Sequence, residues 1–276
     1  MWIDGALTPA ADARISAVDH AITVGDGVFE TVPLNNGTPF ALGRHLARLR
    51  RSAEQVALDI LWTDAEIRKA IESVAGTRDG LARLRITLTG GDSPLSSSRG
   101  SGQSRLIIAT GPRLAATSTA DVVTVPWTRN ERGALAGVKS TSYGENVRSL
   151  RVAVRSGATE AIMANTQDQL CEGTGSNIVI EFQGRLVTPP LSSGCLAGVT
   201  RQLVLEVALE SGAPIAEFDV PFSALRHTTE AFLTSSTRDV QPIATIDGKA
   251  LRSAPGPLTS PIAAAFARLR SSKTDP

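Results

Sequence analysis

The chain has 276 residues, 42% of them hydrophobic and 20% charged, with 28 Lys and Arg against 27 Asp and Glu. This is enough apolar material for one large core or two smaller ones. The near-neutral balance argues against nucleic acid or an anionic membrane as the main partner, and there is no run of about 18 apolar residues to span a bilayer.

The N-terminal stretch MWIDGALTPAADARI lacks the charged-then-apolar layout of a secretory signal. Cys171 and Cys195 are too few for a disulfide framework and show no metal spacing, so a reducing, cytoplasmic compartment is expected, with both as small buried filler. His20, His45 and His227 are scattered and suggest no metal site.

In chain order, GDG at 25–27 is a turn signal. GRHLARLRRSAEQVAL (43–58) has the spacing of an amphipathic helix, with Leu46, Leu49 and Val56 on one side. TDAEIRKAIESVAG (63–76) predicts a second helix, with Thr63 as N-cap, Glu66 completing a capping box and Gly76 at its end. RLRITLTG (83–90) and RLIIATG (105–111) read as neighbouring strands, joined by a Gly- and Ser-rich loop whose composition favours mobility.

DVVTV is a further strand, followed by an irregular stretch from Pro126. A helix is expected at about 145–156, then the strands EAIMAN, NIVIEF and RLVTPP. TRQLVLEVALESG reads as a helix with Thr200 at its N-cap and Gly212 at its end. EAFLTSST is a strand, IDG at 246–248 a turn, and PIAAAFARLR a closing helix before SSKTDP, which is expected to fray. The expected fold class is α/β: an α+β domain over 1–118, a connection over 119–137, and an α/β domain over 138–276.

Several segments carry chemistry. In GVKSTSY (137–143), Lys139 stands among small and hydroxyl-bearing residues with no acid in the six positions before it. Isolated lysines are more often structural, yet a lysine in uncharged company is also how an amine is made nucleophilic. In LAGVTRQLVLE, Gly198 precedes a helix whose first residues are Val199 and Thr200; such a start with a hydroxyl suits a phosphate, although it also reads as an ordinary capped terminus. Thr234 to Thr237 form a hydroxyl run at the end of an apolar strand, which suits either a turn or phosphate oxygens. Arg48 lies between apolar neighbours, where it either snorkels to water or pairs with a buried anion. Glu172, in LCEGTGSN, either accepts backbone hydrogen bonds in a turn or serves as counter-ion to a protonated ring nitrogen. Together, one amine, one carboxylate, one arginine and two anion sites match the aldehyde, ring nitrogen and phosphate of pyridoxal 5′-phosphate. Neither a GxGxxG nor a GxxxxGK[ST] loop is present.

The order WIDG, VGDGVFETV, RHLARL, Lys139, CEGTGSN, LVTPP, LAGVTR, FLTSSTRDVQPI and IDGK resembles the class IV, or fold-type IV, pyridoxal-phosphate aminotransferases over nearly the whole chain. That group contains D-amino-acid and branched-chain aminotransferases and aminodeoxychorismate lyase. Val179 stands where the family usually has an aromatic residue. The resemblance implies two α/β domains, usually in a homodimer. It implies that Lys139 joins the cofactor aldehyde as a Schiff base and later moves the substrate proton. Glu172 would face the ring nitrogen. Arg48, Gly198, Val199, Thr200, Ser235 and Ser236 would hold the phosphate. Tyr143, one residue nearer the lysine than the matching tyrosine of branched-chain members, would lie near the phenolic oxygen, with Asn146 as the alternative.

For substrate, the resemblance points to Phe29 and Arg85 (Arg83 less so), with Arg85 neutralising a carboxylate; the other reading of Arg85 is a surface strand arginine. D-amino-acid members carry an Arg and a His in the following loop, where this chain has Leu95 and Ser97. The tyrosine common in branched-chain members just before the GDG-type turn is Val24 here. GDGVFE leans toward the D-amino-acid branch, so a transaminase of small or hydrophobic amino acids is expected, D-series first and branched-chain L-amino acids second. The alternatives are aminodeoxychorismate lyase and a cofactor-binding protein without catalysis.

Overall fold

The computed structural model describes residues 1–75, 81–112 and 117–276. These fall into two compact units: Met1–Leu114 with Val138–Tyr143 and Thr274–Pro276, and Ala115–Gly137 with Gly144–Lys273. Among the described residues, no helix is long and apolar enough to cross a membrane.

The first unit contains β1 (Trp2–Ile3), β2 (Ala6–Leu7), α1 (His20–Thr23), β3 (Gly27–Asn35), β4 (Thr38–Pro39), α2 (Leu42–Gln55), α3 (Asp64–Ala75), β5 (Leu81–Thr89) and β6 (Arg105–Pro112). Its sheet has the order β2-β1-β6-β5-β3-β4. Period-two alternation turns Val28, Val32, Leu84, Ile86, Leu88, Leu106 and Ile108 to one face, where Leu46 and Leu49 of α2 and Ile67 and Ile71 of α3 cover them. Phe29, Thr31 and Arg85 fall on the other face, since Phe29 pairs with Thr87 and Thr31 with Arg85.

The predicted helix over 43–58 stops at Gln55. Ala57 takes a left-handed φ of 52°, and the Leu58 N–H returns to the Ala53 carbonyl, which closes the helix while keeping Leu58 in the core. The capping box of α3 forms: the Thr63 N–H donates to Glu66 Oε2 at 2.7 Å and the Glu66 N–H to Thr63 Oγ1 at 3.3 Å. The predicted end of that helix at Gly76 lies outside the described residues. SSKTDP, expected to fray, is instead held. The Asp275 carboxylate accepts from the Gly43 N–H at 2.8 Å, Arg44 donates to the Pro276 carbonyl, and the Ala41 N–H donates to the Thr274 carbonyl. Ala41 gives α2 no side-chain cap, so a distant acid takes that place at the positive end of the helix.

The second unit contains β7 (Ala120–Thr124), α4 (Gly144–Arg155), β8 (Glu160–Ala164), β9 (Leu170–Gly173), β10 (Asn177–Phe182), β11 (Arg185–Thr188), α5 (Val199–Glu210), β12 (Ala216–Glu217), β13 (Ala231–Ser235), β14 (Asp239–Ile246), β15 (Lys249–Ala250) and α6 (Thr259–Ser272). The strands run β12-β11-β10-β13-β14-β7-β8-β9, with β15 on β14. Ile162, Ile178, Ile180, Leu233 and Ile243 fill one face together with Val220 and Leu225. Helices α5 and α6 pack on β13 and β14, and α4 on β8.

Two expectations change here. The lysine segment was assigned to the C-terminal domain, but Val138–Tyr143 folds with the first unit. The Phe29 N–H donates to the Lys139 carbonyl at 2.9 Å and the Thr141 N–H to the Gly27 carbonyl at 2.8 Å, so the segment is hydrogen-bonded beside β3. Thr200 was read as the N-cap of α5. Gly198 holds that position with extended backbone, and Thr200 is a buried residue of the first turn.

Candidate active site

In the first unit, four of the sequence-predicted residues meet on the face of the sheet away from the helices. Lys139 Nζ is 3.4 Å from the Tyr143 hydroxyl and 4.5 Å from the centre of the Phe29 ring. Tyr143 meets Phe29 edge-to-face with centroids 5.0 Å apart. The Arg85 guanidinium lies 3.3 Å from the Phe29 ring centre, a cation–π contact, and donates weakly to Thr31 Oγ1 at 3.4 Å. Burial of the guanidinium against this cluster pushes Arg85 down to about 10, so it stays charged at neutral pH. Among the described residues, no carboxylate comes within ion-pair distance of it.

Arg48 lies beneath, on the core face. Its Nε and one Nη each donate to Glu30 at 2.7 Å, and His45 Nδ1 is 2.7 Å from Glu30 Oε2. Burial alone would raise the Glu30 carboxyl. Arg48, by charge and hydrogen bonding, and His45 overcome this and hold it well below the usual carboxylate range. Burial likewise pushes His45 down, against the pull of Glu30, so the imidazole is neutral and its Nδ1–H donates. Sequence reading chose Arg48 and missed Glu30 and His45. The signal was available: Glu30 occupies an inward position of GVFETV, and His45 and Arg48 are three apart on one helix face.

In the second unit, Glu172 lies in β9 just before its last residue, buried. The Leu196 N–H donates to its Oε2 at 2.9 Å, and Arg129 Nε stands 3.2 Å from its Oε1. The Arg129 contact is an ion pair without good hydrogen-bond direction. Asn177 Nδ2 donates to the Leu196 carbonyl at 2.8 Å and so fixes the loop that carries Leu196. That loop runs into Gly198, Val199 and Thr200 at the start of α5, which packs against β13. Ser235 and Ser236 follow at the end of β13 in a turn closed by the Arg238 N–H on Ser235 Oγ at 3.2 Å. Asn146, the alternative to Tyr143, has its amide on the Thr174 carbonyl at 2.5 Å and accepts from Arg129 at 3.4 Å. Within the first unit it is Tyr143 that lies beside Lys139. Arg129 was missed because TRN in an irregular stretch carries no periodic signal.

These groups fit pyridoxal 5′-phosphate by their chemistry. The first unit offers an amine beside a phenol and an arginine that forms no ion pair among the described residues. The second offers a buried acid and a helix start that no side chain caps. The buried Thr234 Oγ1, one residue before Ser235, has no hydrogen-bond partner, as expected of a hydroxyl next to a site for phosphate oxygens.

Comparison with known proteins agrees. The family described as Amino-transferase class IV matches residues 27–246. The chain is 30% identical over 272 residues to D-alanine aminotransferase of Bacillus licheniformis, covering 95% of this chain and 94% of that one. It is 32% identical over 256 residues to a putative branched-chain-amino-acid aminotransferase of Methanocaldococcus jannaschii, covering 91% and 89%. The crystal structure of the branched-chain aminotransferase from Thermoproteus uzoniensis with norvaline superposes with a TM-score of 0.88 at 30% identity, covering 97% of this chain and 93% of that one. Enzymes of this kind depend on pyridoxal phosphate. The chain belongs to the class IV aminotransferase family.

Proposed function

We propose that the protein transfers the amino group of a small or hydrophobic amino acid to a 2-oxo acid, with Lys139 as the catalytic amine and Arg85 as the anchor of the substrate carboxylate. The observation that carries this is the Lys139–Tyr143–Phe29–Arg85 cluster. In its support, the Lys139 amine and the Arg85 guanidinium both pack on the Phe29 ring, and among the described residues no carboxylate lies within ion-pair distance of Arg85. Bound pyridoxal phosphate supplies the aldehyde and the electron-accepting ring. Glu172, held by Leu196 and Arg129, keeps a proton on the ring nitrogen. Val199, Thr200, Ser235 and Ser236 are assigned to the phosphate, with Arg48. The Lys139 amine carries the proton removed from the substrate Cα. Arg85 sets the orientation of that C–H bond through the carboxylate.

Between the two amino-acid series, the loop after β5 favours the L-series over the D-series preferred from GDGVFE alone. That loop has Leu95 and Ser97 where D-amino-acid members carry an Arg and a His, and its arginine, Arg99, is engaged in a bidentate ion pair with Asp26. A panel of D- and L-amino acids with pyridoxal phosphate and 2-oxoglutarate tests this. Turnover of branched-chain or other hydrophobic L-amino acids is expected. D-alanine turnover would reverse the series. Pyruvate release from aminodeoxychorismate without an amino acceptor would reassign the chain as a lyase. Borohydride reduction of the loaded protein is expected to tag Lys139 and no other lysine. Arg85→Ala is expected to raise KM for the amino acid about 10- to 100-fold, the loss of a charged hydrogen bond, and an unchanged KM refutes the anchor.

A further inference from the structure

The GDG turn at 25–27 has a role beyond reversing the chain. Asp26 at its centre is gripped from two sides. His20 Nδ1 is 2.8 Å from Asp26 Oδ2. Arg99 donates from Nε to Oδ2 at 2.5 Å and from Nη2 to Oδ1 at 2.7 Å. The same guanidinium reaches the carbonyls of Val56, at 2.6 Å, and Ala57, at the end of α2, where a cation complements the helix dipole. The far side of the turn holds the lysine segment. Thr141 Oγ1 and Ser142 Oγ donate to the Gly25 carbonyl at 2.7 and 3.0 Å, and the Thr141 N–H donates to the Gly27 carbonyl. The packing leaves no room for side chains. A Cβ at Gly25 would meet Ser142 Oγ at 2.6 Å, one at Gly27 the Leu88 carbonyl at 2.7 Å, and one at Gly90 the Asp26 carboxylate at 2.6 Å.

We propose that Asp26 is a positioning residue that couples the loop between β5 and β6 to the segment carrying Lys139, and that His20 is the pH-sensitive latch of this coupling. The latch follows from geometry. Both ring nitrogens of His20 face acceptors, Asp26 Oδ2 and the Ser96 carbonyl, each at 2.8 Å. Only the imidazolium donates to both. On losing one proton the ring keeps its bond to the carboxylate and releases Ser96, and with it the tip of the loop. The Asp26 hydrogen bond, then the Ser96 carbonyl, raise His20 above its ordinary value. The contribution of the latch is therefore complete below about pH 6.5 and is lost as pH rises through that raised value.

The charged groups around the latch are Asp26 and Arg99, with Asp59 acting on Arg99. Beside them stands Asp19, whose carboxylate accepts from the Ala21 N–H and Thr89 Oγ1. Arg105 lies 4.0 Å from Asp19 and 3.5 Å from Asp92. Burial would raise Asp26, but Arg99 and His20 lower it, so it is ionised across the window.

Hydrogen exchange read by mass spectrometry on the cofactor-free protein tests the coupling without relying on the assigned reaction. Arg99→Ala removes a loop side chain that touches neither Lys139 nor Thr141. It is expected to raise exchange about 10-fold both in the loop and at Thr141, with Arg99→Lys restoring part of the protection. Faster exchange in the loop alone would show a local tether and overturn the coupling. In the wild type, loop exchange corrected for intrinsic rate is expected to rise several-fold between pH 6 and pH 9, and His20→Gln is expected to abolish that step. A step of unchanged size in His20→Gln overturns the latch. Asp26→Asn is expected to reproduce the Arg99→Ala pattern; should it not fold, the Arg99 and His20 variants carry the test.

Discussion

Glu30 is a carboxylate with no solvent exposure, bonded to an arginine and a neutral histidine. Breaking a buried pair by removing one partner leaves the other charge uncompensated, at a cost of about 3–5 kcal/mol. Glu30→Gln keeps the volume and removes the charge, so urea unfolding is expected to show a loss of that size. The pH dependence has a definite sign. The Glu30 carboxyl is depressed in the folded state, so its contribution is complete above the ordinary carboxylate value of about 4.5 and fades as pH falls below it. The wild type is expected to lose stability on acidification faster than Glu30→Gln over that range; parallel curves would contradict the assignment. At this scale, Lys139 and Glu172 were legible because each stands alone among small residues. Arg129 was not, because its partner Glu172 comes from a strand far along the chain, whereas Glu30 was signalled by a charge at an inward position of GVFETV.

Elements place these side chains through their ends. Helix α5 begins at Gly198, where a Cβ would meet Asn177 Oδ1 at 2.0 Å. Asn177 holds the Leu196 carbonyl, and the Leu196 N–H holds Glu172. Gly198→Ala is therefore expected to cost about 1–3 kcal/mol through overpacking and also to weaken cofactor binding. Gly212→Ala, at the other end of α5, has a φ of 72° but open space, and is expected to cost about 1 kcal/mol with no effect on the cofactor. Thermal unfolding with and without pyridoxal phosphate separates the two; equal cofactor affinity in both variants would reject the link to Glu172. The apolar periodicity of α2, α3 and α5 was readable in the sequence, and so was the capping box of Thr63 and Glu66. For α5 the sequence offers two starts, Val199 after Gly198 and a cap at Thr200, and the structure takes the first. Thr200 has the chemistry of a cap, but the helix extends past it because Gly198 already takes the extended backbone an N-cap needs.

Each of the two units has its own apolar core, built from residues of that unit alone. The cofactor-free protein is therefore expected to be folded, with pyridoxal phosphate adding stability by linkage. At 100 times Kd this amounts to about 2.7 kcal/mol, or a Tm increase of roughly 5 °C for a chain of this size. Calorimetry of wild type and Lys139→Ala checks it. The wild type is expected to shift and the variant to shift less, because the covalent anchor is gone. No shift in the wild type would count against the cofactor itself.

The sequence by itself determined the family, the α/β class, most helices and strands, and the residue types that do chemistry. These depend on local periodicity, on caps and turns, and on motif order, all of which are written along the chain. Tertiary structure decided that the lysine segment folds with the N-terminal unit, that the C-terminal tail caps α2, and that Arg99 is bound to Asp26. Each of these is a pairing between groups tens to hundreds of residues apart. Such a pairing forms only because an unsatisfied helix end, a bare carbonyl or a buried charge requires a partner, and no local pattern says where that partner comes from.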